Sequence, residues 1–279
     1  MNRRDLLTVG AGAALLSPGI AVALANARDA AWRPLFDGRT LNGWRFHQQG
    51  AGDTDRDGAV AIERGMLRFL GPRYRGDGTA PGHISTLAEH GDYHLRLRFR
   101  WGSARFVPRK LQRRNSGILY HMGPATDRLF PPGVEFQVEE GDVGDAIMID
   151  TRALHGPLLG GTPLWPNYFP SMPQEYVEPV RAGGIARQWF RHSGAFANLD
   201  GWNTLDLIAF GDQAAHLVNG RIVNTLFKMI GPGAQGASTP LTRGRIALEF
   251  EHAEIWFSDI AIRPLSASDI AAIRKHGSY

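Results

Sequence analysis

Read with a period of two, the chain breaks into short alternating runs. His94–Trp101 (HLRLRFRW), Ser116–His121, Val134–Glu139, Asn203–Phe210, Ala215–Asn219, Arg245–Phe250 and Glu254–Ile262 (EIWFSDIAI) are rich in β-branched and aromatic residues and bounded by Gly, Pro, Asn and Asp. That pattern predicts strands buried on one face. Val218-Asn219-Gly220-Arg221-Ile222 predicts a hairpin, because Asn-Gly accepts positive φ at both turn positions. Helical periodicity is clear only at the end, where Ser268 can cap Asp269–Lys275 and Gly277 can stop it. Many short strands, Gly-rich turns and a single short helix predict an all-β fold of two packed antiparallel sheets.

Two long insertions interrupt the strands. Leu70–Pro81 is rich in Gly, Arg and Pro. Leu154–Gly194 carries six prolines between 157 and 179, with Trp165, Tyr168, Phe169, Tyr176 and Trp189 among them. A loop of that length in a compact domain is functional or disordered, and its aromatics argue for the former. The stretch Gly133–Asp142 (GVEFQVEEGD) has a different interest. Val134, Phe136 and Val138 fall on one side of it, and Glu135, Gln137 and Glu139 on the other. The common reason for such alternation is a solvated outer face. The other reason is a polar trough that holds a ligand.

Composition narrows the choice. The 43% hydrophobic and 10% aromatic content of the 279 residues supports a proper core. Thirty-one basic residues against 27 acidic ones give only +4, and the basic residues are scattered, which argues against a nucleic-acid partner. The absence of cysteine excludes thiolate catalysis, zinc–thiolate sites and disulfides. There is no GxSxG, HExxH or phosphate-binding loop, so no nucleotide or redox cofactor is expected. The first residues, MNRRDLLTVGAGAALLSPGIAVALANA, read as an export signal over 1–27. Arg3-Arg4 ahead of Asp-Leu-Leu gives it a twin-arginine character, and Ala23–Ala27 offers small residues at cleavage spacing. No other run of about 20 apolar residues exists, so the expected mature protein is periplasmic or secreted, without a stable membrane span. The remainder divides into one domain over 31–265 and a helical tail over 266–279.

Several motifs, taken in order, resemble a known family. Pro34-Leu35-Phe36-Asp37-Gly38-Arg39-Thr40-Leu41-Asn42-Gly43-Trp44 resembles the opening "LF(N/D)G..L.GW" of the 3-keto-disaccharide hydrolase domain family. Asn115-Ser116-Gly117-Ile118 is similar to its "NSGI" strand, and Val134–Val138 to its "YE.Q" strand. Gly201–Thr204 with His216–Gly220 resembles "EWNT…H..NG", and Gly244–Leu248 with Phe257–Leu265 resembles the closing "G.I.LQ" and "F.NI.I.PL". The chain departs from the pattern at His121, where Arg is common, at Glu249, where Gln is usual, and in its longer Pro/aromatic insertion. The resemblance implies a concanavalin/laminin-G-like antiparallel β-sandwich, or jelly roll, with long loop insertions. It also implies a small oligosaccharide or glycoside as partner, cleaved after its C3 hydroxyl has been oxidised to a ketone.

A C3 ketone makes the C2 proton acidic and places the glycosidic oxygen β to the carbonyl. Cleavage then needs a base, an acid and a group that takes up the enediolate's charge. Glu135 is the candidate base or metal ligand, and Gln137, Asn115 and Glu139 are candidate sugar ligands. His121 would share a face with Asn115 on a regular strand, and His155 opens the long insertion; either could carry a second proton. Trp165 and Tyr168 could stack on a pyranose. The structural alternatives are a solvated strand face for the acids, a strand-capping turn for Asn115, interior packing for the histidines, and plain loop packing for the aromatics. His216 sits at a hairpin and reads as structural. Asp53-Thr54-Asp55-Arg56-Asp57-Gly58 copies the first half of a calcium loop, so a divalent ion, calcium or another, is a candidate cofactor there. The twelfth-position Glu is lacking, since that place holds Arg64. Two rival functions share these residues. A retaining glycoside hydrolase would use Glu135 and Glu139, with carboxyl groups about 5–5.5 Å apart. A carbohydrate-binding module would bind sugar without turnover.

Overall fold

The computed structural model describes residues 31–124, 128–156, 158–159, 162–163, 179–182, 184–192, 194–233 and 236–277. The alternating runs form two large antiparallel sheets. The first has the strand order Arg152–His155, Arg221–Pro232, Gln213–Val218, Asn203–Phe210, Tyr93–Arg105, Ala253–Pro264, Met66–Phe69 and Val60–Glu63, with two short strands attached alongside. The second runs Val180–Ala182, Ile185–Phe190, Ala146–Ile149, Gly133–Gln137, Gly117–Met122, Arg245–Phe250, Gly82–Thr86 and Trp44–Gln48.

The apolar half of each strand faces the other sheet. Leu95, Leu97 and Phe99 from the first meet Val134, Phe136, Ile246, Leu248 and Phe250 from the second in one continuous core. This is the expected β-sandwich. Asn219 and Gly220 take φ of 51° and 81°, as the Asn-Gly hairpin requires. The end of the long insertion is more regular than its composition suggests: Ile185–Phe190 pairs with Ala146–Ile149 and extends the second sheet.

Both outer faces carry further packing. The Ala267–Gly277 helix lays Ile270 and Ile273 over Ile208, Phe210, Leu217 and Ile222. Its start lies two residues before the expected Asp269, and the cap is Ser266 rather than Ser268. Ser266 Oγ accepts from Asp269 N (3.1 Å) while Asp269 accepts from Ser266 N (2.8 Å), a reciprocal capping box. On the outer face of the second sheet, Phe130, Ile185 and Trp189 pack against Leu119, Met122, Ile147, Ile149 and Ala247. The polar alternates of that sheet are therefore largely covered. Among the described residues no helix is long and apolar enough to cross a membrane.

Candidate active site on the outer face of the second sheet

Strand register decides which polar side chains meet. Gly117 pairs with Gln137, and Leu119 with Glu135 on one side and Ala247 on the other. Asn115 forms a bridge to Glu251, and Glu249 pairs with His83. Val134, Phe136, Ile246, Leu248 and Ile84 belong to the core, so their alternates Glu135, Glu249, Glu251, Asn115 and His83 all lie on the outer face.

Three carboxylates converge there. One oxygen from each of Glu135, Glu249 and Glu251 lies within 4.8 Å of the others, and this is the only such acid group among the described residues. Gly117 makes the convergence possible. A Cβ at that position would stand 2.2 Å from Glu249 Oε2 and 2.8 Å from Glu135 Oε1, closer than any side chain tolerates. The glycine of the Asn-Ser-Gly-Ile strand leaves bare backbone over which two neighbouring strands send their acids. No described Arg or Lys forms an ion pair with the trio. Asn115 Nδ2 donates to Glu251 Oε2 (2.7 Å), while both oxygens of Glu249 and the Asn115 Oδ1 have no hydrogen-bond partner.

The electrostatic result is plain. Burial pushes the Glu135 and Glu249 carboxyls well above the usual range, and the charges of neighbouring glutamates raise them further against a smaller opposing pull from Arg187. Glu251, partly exposed at the edge of the group, is raised by the same burial, with the Asn115 hydrogen bond opposing. Beside Glu249, the fully buried His83 donates Nε2–H to Arg128 O (3.2 Å), which leaves the lone pair of Nδ1 without a partner. Burial lowers its pKa to about 4, so the ring is neutral near pH 7.

The other expected site residues sort themselves by partner. Gln137 shares the acid face, but its Oε1 accepts from Val138 N (2.9 Å), tying it to its own strand. Glu139 is held by two guanidiniums, Arg109 and Arg113, the latter at 3.0 Å. His121 does not share the face of Asn115. A bulge between the Arg245 and Ala247 pairings, with His121 at φ 47°, turns the ring against Tyr93 and Tyr120. His155 lies in the opposite sheet, its ring stacked on the core residue Phe190 at 4.8 Å. Burial brings both rings to a pKa of about 4. His216 is likewise interior, stacked on Phe136 at 4.1 Å, receiving from Tyr120 OH (3.0 Å) and donating to Gly144 O (3.1 Å).

In the acidic loop the carboxylates go separate ways. Asp53 pairs with Arg45 (2.5 Å) and His47 (3.3 Å), and Asp55 accepts from Ala59 N and Val60 N. The three carboxylates do not form a group of ligand spacing. Trp165 and Tyr168 lie outside the described residues. Trp189 covers Ile147 with its Nε1–H on Asp145 (2.8 Å) and Arg191 stacked on its ring.

Alternation and the family resemblance point to Glu135 and Asn115 and pass over Glu249, Glu251 and His83 as site residues. A signal was present, because Ile246, Leu248 and Phe250 alternate with Glu249 and Glu251 as cleanly as the Val134 strand does.

The sequence profile described as the 3-keto-alpha-glucoside-1,2-lyase-like domain matches residues 31–263. Among solved structures, a candidate glycosyl hydrolase from Parabacteroides distasonis ATCC 8503 is 17% identical, with 88% of this chain and 96% of that one covered at a TM-score of 0.50. A second from the same organism is 19% identical, covering 84% and 100% at a TM-score of 0.47. The Bacillus licheniformis β-glucanase is 10% identical, covering 85% and 98% at a TM-score of 0.43. No curated protein matches the chain.

Proposed function

The chain belongs to the 3-keto-alpha-glucoside-1,2-lyase-like domain family and so to the glycosyl-hydrolase-like, carbohydrate-active proteins; from that premise we propose that it cleaves 3-keto-glycosides, 3-keto-disaccharides among them. The observation that carries the reading is the set of acids gathered over Gly117 on a sheet face lined with apolar side chains.

The chemistry is an elimination followed by hydration. A base takes the C2 proton, and the electron pair of that bond forms an enediolate with the C3 carbonyl. The enediolate collapses, the C1–O bond breaks, and the departing oxygen takes a proton from an acid. Water then adds across the C1–C2 double bond, OH to C1 and H to C2. Two groups at the site can take the C2 proton: Glu135, and His83 through its unshared Nδ1 pair. Glu135 also suits the role of ligand to a cation that takes up the enediolate's charge. We place the reaction in the periplasm, on the strength of the Arg3-Arg4 signal.

The test is incubation of the protein with 3-keto-glucosides and with the parent glucosides. The reading predicts release of aglycone from the keto sugar alone, with Glu135→Gln slower by at least about a hundredfold. Cleavage of the parent alone would overturn it. A classical retaining mechanism through Glu135 and Glu139 is less well supported, because Glu139 faces Arg109 and Arg113 while the carboxylate neighbours of Glu135 are Glu249 and Glu251.

A further inference from the structure

We propose that Glu135, Glu249 and Glu251, with the Asn115 side-chain oxygen beside them, hold a divalent cation of the oxygen-preferring class: Mg²⁺, Mn²⁺ or Ca²⁺. The proposal deepens the reading of this face as the place of sugar cleavage; it rests on that reading for the cation's use but not for its binding.

Four observations carry it. The carboxylate oxygens lie within 4.8 Å of one another, and oxygens that share one hard cation at about 2.0–2.6 Å can be at most about 4–5 Å apart. Gly117 keeps the space among them clear, since a Cβ there would meet Glu249 at 2.2 Å. Asn115, only 6% exposed, anchors one end of its amide on Glu251 and leaves its oxygen unpartnered at the same group. Glu249, at 0% exposure, has neither a donor nor a cationic partner at either oxygen. A buried carboxylate without a hydrogen bond, as Glu249 is, costs several kcal/mol, and a divalent ion shared with Glu135 and Glu251 offsets that cost. The donor set is oxygen throughout, which favours hard cations over zinc or copper. Glu251, at the exposed edge, gives the ion a way in.

With the acids engaged as ligands, His83 would be left to take the C2 proton, and a bound cation would supply positive charge beside the enediolate. The Asp53-Asp55-Asp57 loop takes no part, since Arg45, His47 and backbone N–H groups already occupy the first two of its carboxylates.

The test needs no sugar. The full chain is stripped with EDTA, and Mn²⁺ binding is followed by equilibrium dialysis and EPR, with Mg²⁺ and Ca²⁺ as competitors. One Mn²⁺ per chain is expected. Glu249→Gln and Glu251→Gln should each weaken it at least about tenfold. Gly117→Ala should do the same by filling the space, and Asp57→Asn should leave it unchanged. Circular dichroism checks that each variant is folded; if Glu249→Gln is not, the edge variant Glu251→Gln decides. A wild-type chain that binds none of the three ions at millimolar concentration overturns the proposal. So does binding that survives both glutamine variants or is lost on Asp57→Asn. Mn²⁺ binding without cleavage of 3-keto-glycosides would sink the substrate reading and leave the cation site standing. Cleavage by an ion-free chain that binds none would do the reverse.

Discussion

Glu249 and Glu254 are five residues apart and buried to the same degree, 0% and 2% exposed, on the outer faces of opposite sheets. Each leans over a glycine of a neighbouring strand: a Cβ on Gly102 would stand 2.1 Å from the Glu254 carboxyl carbon, as one on Gly117 would crowd Glu249. Their surroundings then diverge. Glu254 receives Arg68 Nη2 at 2.6 Å and the backbone N–H groups of Ser103 and Ala104 at 3.0 and 3.1 Å, and Arg68 also reaches Glu63. Glu249 receives nothing from the described residues and faces two more acids. A buried charge with a full set of partners is part of the framework. A buried charge without them is unstable in the protein alone, and it makes sense when its partner arrives from outside. The same contrast separates His216, whose two ring nitrogens are both engaged, from His83, whose Nδ1 is not.

The largest expected effect sharpens that pair directly. Glu254→Gln breaks a buried ion pair and leaves Arg68 with only Glu63, so urea unfolding should show a loss of about 3–5 kcal/mol. Glu249→Gln removes a charge that has no partner, and the same titration should show no loss or a gain. Equal destabilisation by both substitutions would break the comparison. Next is Gly117→Ala, which forces the Glu135 and Glu249 side chains apart. Overpacking of this kind costs about 1–3 kcal/mol in unfolding free energy, and cleavage should fall even at temperatures where the variant remains folded.

A third effect concerns acid. Burial holds the folded pKa of His216 at about 3, below the 6.5 of an exposed ring. Below pH 6.5 the unfolded chain therefore binds a proton that the folded chain does not. The stability His216 contributes is fully present above pH 6.5 and is lost as pH falls towards about 3, by about 1.4 kcal/mol per pH unit. His216→Gln should flatten the acid limb of the stability–pH curve by that slope, measured by urea midpoints between pH 6 and 4. The smallest effect is that of Asp57→Asn, with unfolding free energy within about 0.5 kcal/mol of wild type and unchanged cleavage.

The parts of this contrast that could be read from the chain are those set by local periodicity. Alternation at Val134–Glu139 places the acids opposite the core, and Asn219-Gly220 marks its hairpin correctly. The family is likewise legible, because short motifs such as Asn115–Ile118 survive in order. What alternation cannot say is whether the polar face is wet. Glu135 reads as half-solvated and is 4% exposed, since Phe130, Ile185 and Trp189 come from elsewhere to cover the neighbouring positions. Nor can it say which acids meet. Glu249 is far along the chain from Glu135 and reaches it only through the register of two strands with Gly117 between them. His121 shows the opposite limit: a single bulge takes it off the face on which regular counting places it. Glu249 was visible as a departure from the family's usual Gln, but a departure signals chemistry only once its neighbours are known.

The most direct measurement of the account follows deuterium at C2 of the sugar released from a 3-keto-glucoside in D₂O, for wild type and Glu135→Gln side by side. The account predicts one deuterium at C2 with the wild-type chain, and a loss of both wash-in and release with the variant. Release without deuterium, or wash-in by Glu135→Gln at the wild-type rate, would contradict it.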